Sequence, residues 1–475
     1  MNYETIIGLE VHAQLRTQSK IFCRCATEFH ASENQNVCPV CMGLPGSLPV
    51  LNEKAVAFAL KMAVATHCQI QPTSIFSRKN YFYPDLPKGY QISQYDKPLA
   101  TAGVVEIVLE NTSKKIRLHR IHMEEDAGKN VHGERYSYVN YNRAGIPLVE
   151  IVSEPDLRNA QEAAEYLRTL RSILRYLDIS DGNMEEGSFR CDVNISLRPE
   201  RSDRFGTKVE IKNINSFRFV ENAILYEMER QRMCLEEGKR IVQETRLWDE
   251  HEGKTFSMRQ KEEAHDYRYF PEPDLMPLEI SAEWVSQIRS TLPEFEQVKK
   301  QRFMTQYQLT NYDAKLLVQE KSLADYFEQT VHRGGDPKLV CNWILSEVLR
   351  EFEVSKVACS SLTPGHLAEL ICLIQKGTIS GKIAKDVFEK ILKQGKMPSQ
   401  IVREEGLEQI SDAAQLEKVI EFVVSEQGDL VKQYREGQKN KFSFLVGQIM
   451  KKTQGKANPK IVSELLKNKL EREDT

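Results

Sequence analysis

Four cysteines stand in two close pairs near the start of the chain, Cys23-Arg24-Cys25 and Cys38-Pro39-Val40-Cys41, separated by residues 26–37. Thiolates are soft ligands, and two such pairs can fold around one Zn²⁺ in a tetrahedral four-sulfur site. Protein would then fill every coordination position, so the expected metal is structural rather than catalytic. Four free or buried thiols are the competing reading. Cys68, Cys191, Cys234, Cys341, Cys359 and Cys372 are scattered. This is no disulfide framework of a secreted domain, and it points to a reducing compartment.

A second chemistry is carried by short runs with one polar edge. In Gly8-Leu9-Glu10-Val11-His12, Glu10 and His12 share a face if the chain is extended, with Leu9 and Val11 opposite. Arg190, Asp192, Asn194 and Ser196 alternate with Cys191, Val193, Ile195 and Leu197, and Lys208, Glu210 and Lys212 alternate with Val209 and Ile211. A half-buried sheet ordinarily turns such a face to water. Carboxylates, imidazole, Arg and Asn on one face are also what an oxygen-coordinated Mg²⁺ beside phosphate needs. More carboxylates lie in His122-Met123-Glu124-Glu125-Asp126-Ala127-Gly128-Lys129 and at Glu150, Glu154, Asp156, Glu185 and Glu186, and spacing alone does not single out Glu125 from its neighbours. Residues 77–87 interleave Arg78 and Lys79 with Tyr81, Phe82 and Tyr83, a mixture that can neutralise phosphate and stack on a base. There is no G-x-G-x-x-G and no G-x-S-x-G, and residues 377–382 are one residue short of a P-loop. A bound nucleotide therefore needs a different cradle.

These side chains need elements to hold them. Alternation and β-branched residues predict strands over 3–9, 104–109, 116–121, 147–152, 190–197 and 207–212, interrupted by helices over 53–66 and 160–177. Residues 270–277 are too rich in proline for regular structure and mark the approach to a boundary. Beyond about residue 292 helical spacing takes over. Leu339, Trp343, Ile344, Val348 and Leu349 suit one helix, and Leu367, Leu370, Ile371 and Ile374 suit another. Breakers at 395–398 and Gly406 precede a last helical part with the stripe Phe442, Leu445, Val446, Ile449 and Met450. The expected fold class is α+β: a mixed, largely antiparallel sheet forming a cradle domain over 1–292 that carries the four-cysteine insertion, a helical domain over 293–405, and a helical tail domain over 406–475.

The 475 residues are 41% hydrophobic and 28% charged, which allows a sizeable core. The start lacks a basic segment followed by an apolar run, and no apolar run approaches the roughly 20 residues that span a bilayer. A soluble cytoplasmic protein with no membrane partner is expected. Net charge is -3, yet residues 431–475 hold 11 Lys and Arg against 5 Asp and Glu. A basic tail on a mildly acidic body suits contact with a polyanion such as RNA, while a solvated helical face is the plainer reading.

Six stretches then occur in order: Gly8–His12; Arg78-Lys79-Asn80-Tyr81-Phe82-Tyr83-Pro84-Asp85; His122–Lys129; Glu150-Ile151-Val152-Ser153-Glu154-Pro155-Asp156; Gly187-Ser188-Phe189-Arg190-Cys191-Asp192-Val193-Asn194-Ile195-Ser196; and Asp266-Tyr267-Arg268-Tyr269-Phe270-Pro271-Glu272-Pro273-Asp274. Together, over nearly the whole chain, they closely resemble the B-subunit family of the aspartyl/glutamyl-tRNA(Asn/Gln) amidotransferases. The resemblance implies a ligase acting in a heterotrimer with an amidase A subunit, which frees ammonia from glutamine, and a small C subunit. It implies mischarged Asp-tRNA(Asn) or Glu-tRNA(Gln) as substrate, ATP and Mg²⁺ as cofactors, and a tRNA-binding tail. Carried onto matching positions, it implies His12, Glu125 and Glu150 as Mg²⁺ ligands with Glu10 beside them. Lys79, Arg190, Asn194 and Ser196 would face ATP, and Lys79, Glu10, Glu125 and Asp192 would serve the reaction. Cys23, Cys25, Cys38 and Cys41 resemble the zinc-carrying branch of the family. Asn140 stands where the family commonly has Asp, which puts a carboxylate role there in doubt. The competing functions are a non-catalytic tRNA-binding subunit and a stand-alone carboxylate–amine ligase.

Overall fold

The computed structural model describes residues 2–109, 112–260, 264–359, 361–409, 413–453 and 456–472. It falls into two units, Met1–Phe295 and Glu296–Thr475. The architecture is α+β, as expected.

The first unit is organised by a nine-stranded sheet. Its order is Lys254–Gln260, Glu244–Asp249, Val209–Lys212, Phe189–Pro199, Tyr3–Gln14, Pro147–Ser153, Thr112–Glu125, Ala100–Leu109 and Gln69–Ile70. Every neighbouring pair is antiparallel except Val209–Lys212 with Glu244–Asp249. The first strand lies at the centre because its odd-numbered residues, Ile7, Leu9, Val11 and Ala13, are almost fully buried. Each large apolar side chain buried on this face contributes about 2 kcal/mol. Three helices cover this side of the sheet. Glu53–Ala65 packs on Thr112–Glu125, Ala160–Tyr176 on Ala100–Leu109, and Phe217–Glu236 on Phe189–Pro199. Asn52, Asn159 and Ser216 cap them by accepting from backbone N–H groups of the first turn.

Several elements depart from the sequence expectation. The helix Phe217–Glu236 is not among the predicted elements, because its inner face is interrupted by buried Glu227 and Gln231. Glu227 is satisfied by Arg230 of the same helix and by the hydroxyl of Thr255 on the sheet, partners that an apolar stripe would not need. The strand expected over 116–121 runs from Thr112 to Glu125. Its last residues, His122, Glu124 and Glu125, are polar and nevertheless buried, so the apolar alternation ends before the strand does. Phe270–Pro271, expected to be irregular, pairs with Phe76–Asn80, the strand that carries Lys79.

The second unit is helical and holds two apolar clusters, one spanning residues 303–402 and one spanning residues 416–470. The expected helix through Leu339 and Leu349 is continuous but passes through a π-helical turn at Ile344–Val348. Among the described residues, no helix is long and apolar enough to cross a membrane.

Candidate active site on the polar face of the sheet

The even-numbered residues of the first strand point away from the helices, and antiparallel pairing lines them up with like-facing residues on both sides. His12 lies opposite Glu150 on one neighbour and Arg190 on the other, and Glu150 lies opposite His122. One row therefore reads His122, Glu150, His12, Arg190 across four strands. The next row places Glu10 opposite Asp192, and the one after places Gly8 opposite Asn194, which in turn faces Glu210. Residues remote in sequence meet because cross-strand neighbours on one face are only about 5 Å apart.

His12, Glu124 and Glu150 converge. His12 Nε2 lies 3.4 Å from Glu150 Oε2 and 3.6 Å from Glu124 Oε1. Their ligand atoms all lie within 4.8 Å of one another, a spacing that one small cation could bridge. Burial pulls the His12 imidazole down, but Glu150 and then Glu124 and Asp192 bring it up to about 9. Burial pushes the Glu150 carboxyl up, and His122 and His12 overcome this and hold it well below its ordinary range. Lys79 belongs to the same electrostatic group: burial lowers its ammonium, and Glu124, tyrosine hydroxyls and Glu150 raise it, so it stays charged.

Glu125, expected as the third ligand with His12 and Glu150, does not join them. Successive residues of a strand project to opposite faces, and Glu125 turns away to pair with the Lys88 ammonium and accept the backbone N–H of Ile92 at 2.8 Å. Glu124 takes the expected place. Its signal was the two-residue spacing from His122, which becomes useful only once His122, Glu150 and His12 are known to be in register.

Glu10, Asp192 and Glu210 form a second group of carboxylates within 4.8 Å of one another. Lys212 bridges Asp192 and Glu210, the latter at 3.5 Å. Their alternation put Lys212 and Glu210 on a polar edge, but nothing in the sequence joined that edge to Glu10 and Asp192. Asn194 donates to Glu10 Oε1 at 2.9 Å and leaves its own Oδ1 buried with no partner. Beside it a cavity of about 270 Å³ is lined by Gly8, Glu10, Asn194, Ser196, Phe205 and Lys208 among others. Gly206 closes that wall so tightly that a Cβ there would lie 2.0 Å from the carbonyl oxygen of Leu197. Arg190 is held by Asp126 at 2.9 Å, while its Nε is buried without a hydrogen bond.

The four cysteines come together as their spacing predicts, with all four sulfur atoms within 4.8 Å of one another and Cys38 Sγ 3.9 Å from Cys41 Sγ. Tetrahedral Zn²⁺ with sulfur at about 2.3 Å needs edges close to this length, so the donor set fits a closed zinc site. A hydrogen bond from Cys23 holds the Cys41 thiol down to about 4, and the neighbouring Lys20 ammonium adds to that. The insertion is tied to the sheet's loops through Asn34, Asn36 and Asn142. Asn140 takes part here. Its Oδ1 accepts from the backbone N–H groups of Asn142 and Asn34, a task a carboxylate oxygen could equally perform.

Residues 5–286 match the GatB/GatE catalytic domain and residues 325–470 match the GatB domain. The chain is 54% identical over 99% of its length to the B subunit of the aspartyl/glutamyl-tRNA(Asn/Gln) amidotransferase of Persephonella marina, all of which is covered. It is 55% identical over 98% of its length to 99% of the protein of that name from Thermodesulfovibrio yellowstonii, and 52% identical over 99% to 99% of that from Myxococcus xanthus. With a catalytic-domain match over more than half its residues and relatives aligned from end to end, the chain belongs to the GatB/GatE family.

Proposed function

We propose that this chain is the B subunit of a glutamine-dependent aspartyl/glutamyl-tRNA(Asn/Gln) amidotransferase, an ATP-using ligase that turns the side-chain carboxylate of a misacylated tRNA into its amide. The observation that carries this reading is the convergence of His12, Glu124 and Glu150 beside Lys79, on the sheet face that also bears Glu10, Asp192 and the Asn194–Ser196 cavity.

A carboxylate resists attack by ammonia, and an acyl phosphate does not. A side-chain oxygen of the Asp or Glu attacks the γ-phosphorus of ATP, and the bond to the ADP oxygen breaks. The nitrogen of ammonia then attacks the carbonyl carbon, phosphate departs, and the nitrogen loses a proton. His12, Glu124 and Glu150 would hold Mg²⁺, which when bound neutralises and orients phosphate oxygens. Lys79 supplies a fixed positive charge toward the transferring phosphoryl group. Asn194 Oδ1 and Ser196 offer polar contacts for the nucleotide, and the free Nε of Arg190 offers another. Glu10 and Asp192 supply carboxylates for the released proton. The four thiolates would hold a structural zinc that takes no part in the reaction. Ammonia comes from an amidase partner, a small third subunit completes a heterotrimer, and the assembly works in the cytoplasm.

The test uses the assembled complex with ATP, Mg²⁺ and misacylated tRNA. ADP release should depend on the charged tRNA, and hydroxylamine in place of ammonia should trap the activated side chain as a hydroxamate. His12→Ala should abolish both while tRNA binding persists. Undiminished turnover in that variant would leave only the non-catalytic tRNA-binding role.

A further inference from the structure

A cavity of about 410 Å³, lined in part by Tyr95, Asp96, Thr101, His119, Arg120 and Glu154, lies along the strand that carries His122 and Glu124. A β-bulge creates this place. The register between Thr112–Glu125 and Pro147–Ser153 shifts so that Arg120 faces Val152 while Leu118 faces Ser153. Leu118 and Ile121 can then both stay in the core, and the two residues between them do not enter it.

The lining is poised for a ligand. The Arg120 guanidinium lies 5.9 Å from the centre of the Tyr95 ring, and its Nε is buried without a hydrogen bond. Arg120 makes no ion pair among the described residues. Tyr95 stacks on Tyr269 with ring centres 4.1 Å apart and planes 4° from parallel. Tyr269 in turn feels the charges of Lys79, Glu124, Glu150 and Arg120, so the stacked pair has both the cavity's cation and the proposed reaction centre in its surroundings. At the rim His119 Nδ1 meets Glu154 Oε1 at 3.0 Å, and the Asp96 carboxylate is exposed.

We propose that this cavity receives the 3′-terminal nucleoside of the aminoacylated tRNA. The inference rests on the function proposed above, because it asks where the carrier of the reacting carboxylate is held. An unpaired base stacks on aromatic rings and guanidinium planes, a neighbouring phosphate needs a cation, and a ribose 2′-hydroxyl needs an acceptor. Tyr95, Arg120 and Asp96 supply these three in one place. The reach is also right. Two residues along a strand span about 7 Å, so Arg120 stands about that far from His122. The ester arm from ribose oxygen to side-chain carboxyl carbon, four bonds long for aspartyl and five for glutamyl, extends about 5 to 6 Å. A terminal nucleoside whose ribose lies beside Arg120 thus extends its esterified side-chain carboxylate toward the His12–Glu124–Glu150 group.

The test is a cycle of protein and RNA truncations on the assembled complex. Removing the terminal adenosine from uncharged tRNA should weaken binding to the wild type by about tenfold, the size of one lost base stack. The same removal should cost almost nothing once Arg120→Met or Tyr95→Ala has been made. With misacylated tRNA, Arg120→Met should raise KM by about tenfold and leave kcat and the KM for ATP within about threefold, and Arg120→Lys should recover part of the loss. Equal losses in wild type and both variants would overturn the assignment, as would a shift in the KM for ATP instead of tRNA. Failure of the underlying function looks different, since the wild type itself would then show no ADP release dependent on charged tRNA. A variant that does not fold is recognised by its melting curve, and the cycle then rests on the other two.

Discussion

Replacing Glu124 by Gln removes one of three groups that surround a common point, whereas replacing Glu125 by Gln breaks an ion pair with Lys88 on the opposite side of the strand. The two variants should therefore differ sharply. Glu124→Gln should weaken Mg²⁺ or Mn²⁺ binding, read by the metal dependence of ADP release, and lower turnover by about 10²-fold or more. Glu125→Gln should leave the metal dependence in place and lower stability by about 3 kcal/mol, because a buried ammonium loses its partner. If Glu125→Gln raises the metal requirement and Glu124→Gln does not, the parity of the strand has been misassigned. The same residue scale explains why Asn140 is tolerated: its oxygen accepts backbone hydrogen bonds, and no charge is asked of it.

At the scale of elements, Asp126 fastens the end of the Thr112–Glu125 strand to its surroundings. It accepts from Gln14 Nε2 at 2.7 Å and pairs with Arg190 at 2.9 Å and Arg143 at 3.6 Å, so it joins the first strand, the Phe189–Pro199 strand and the loop that follows residue 140. Burial pushes this carboxyl up, but Arg190, Arg143 and Gln14 together hold it below its ordinary value. A carboxylate whose pKa is lower folded than unfolded adds stability above the unfolded value, about 3.9, and that stability fades as pH falls through the folded value. Asp126→Asn cannot titrate. In urea melts the wild type should exceed it by about 3 kcal/mol near pH 7, and the gap should narrow below about pH 4. A gap independent of pH would show that hydrogen bonding rather than charge joins these elements. Much at this scale is legible in the sequence. The strand cores through Leu9–Val11 and Val193–Ile195 and two of the three sheet-covering helices follow from alternation and helical spacing. The helix Phe217–Glu236 does not, because its buried Glu227 and Gln231 read as solvent-facing until Arg230 and Thr255 are seen beside them.

For the whole molecule, the C-terminal helical segment that ends in the basic stretch 431–475 can be tested apart from the catalytic unit. Its apolar residues, Leu416 through Leu470, form a cluster of their own, so removing residues 413–475 should leave the first unit folded. This deletion should weaken tRNA binding by about tenfold or more, reduce the salt dependence of what remains, and leave the KM for ATP unchanged. An unaltered salt slope would mean that the tail's Lys and Arg residues contact no phosphate. The sequence by itself determined the α+β class, the thiol quartet, the polar edges of the strands and the family, since each is written in local spacing or in long contiguous motifs. Only the tertiary structure decided that Glu124 and not Glu125 meets His12 and Glu150, that Lys212 bridges Asp192 and Glu210, and that a bulge opens a cavity at Arg120. Those outcomes depend on which strands are neighbours and in what register, and register is fixed by the burial of the opposite face of the whole sheet rather than by any segment read alone.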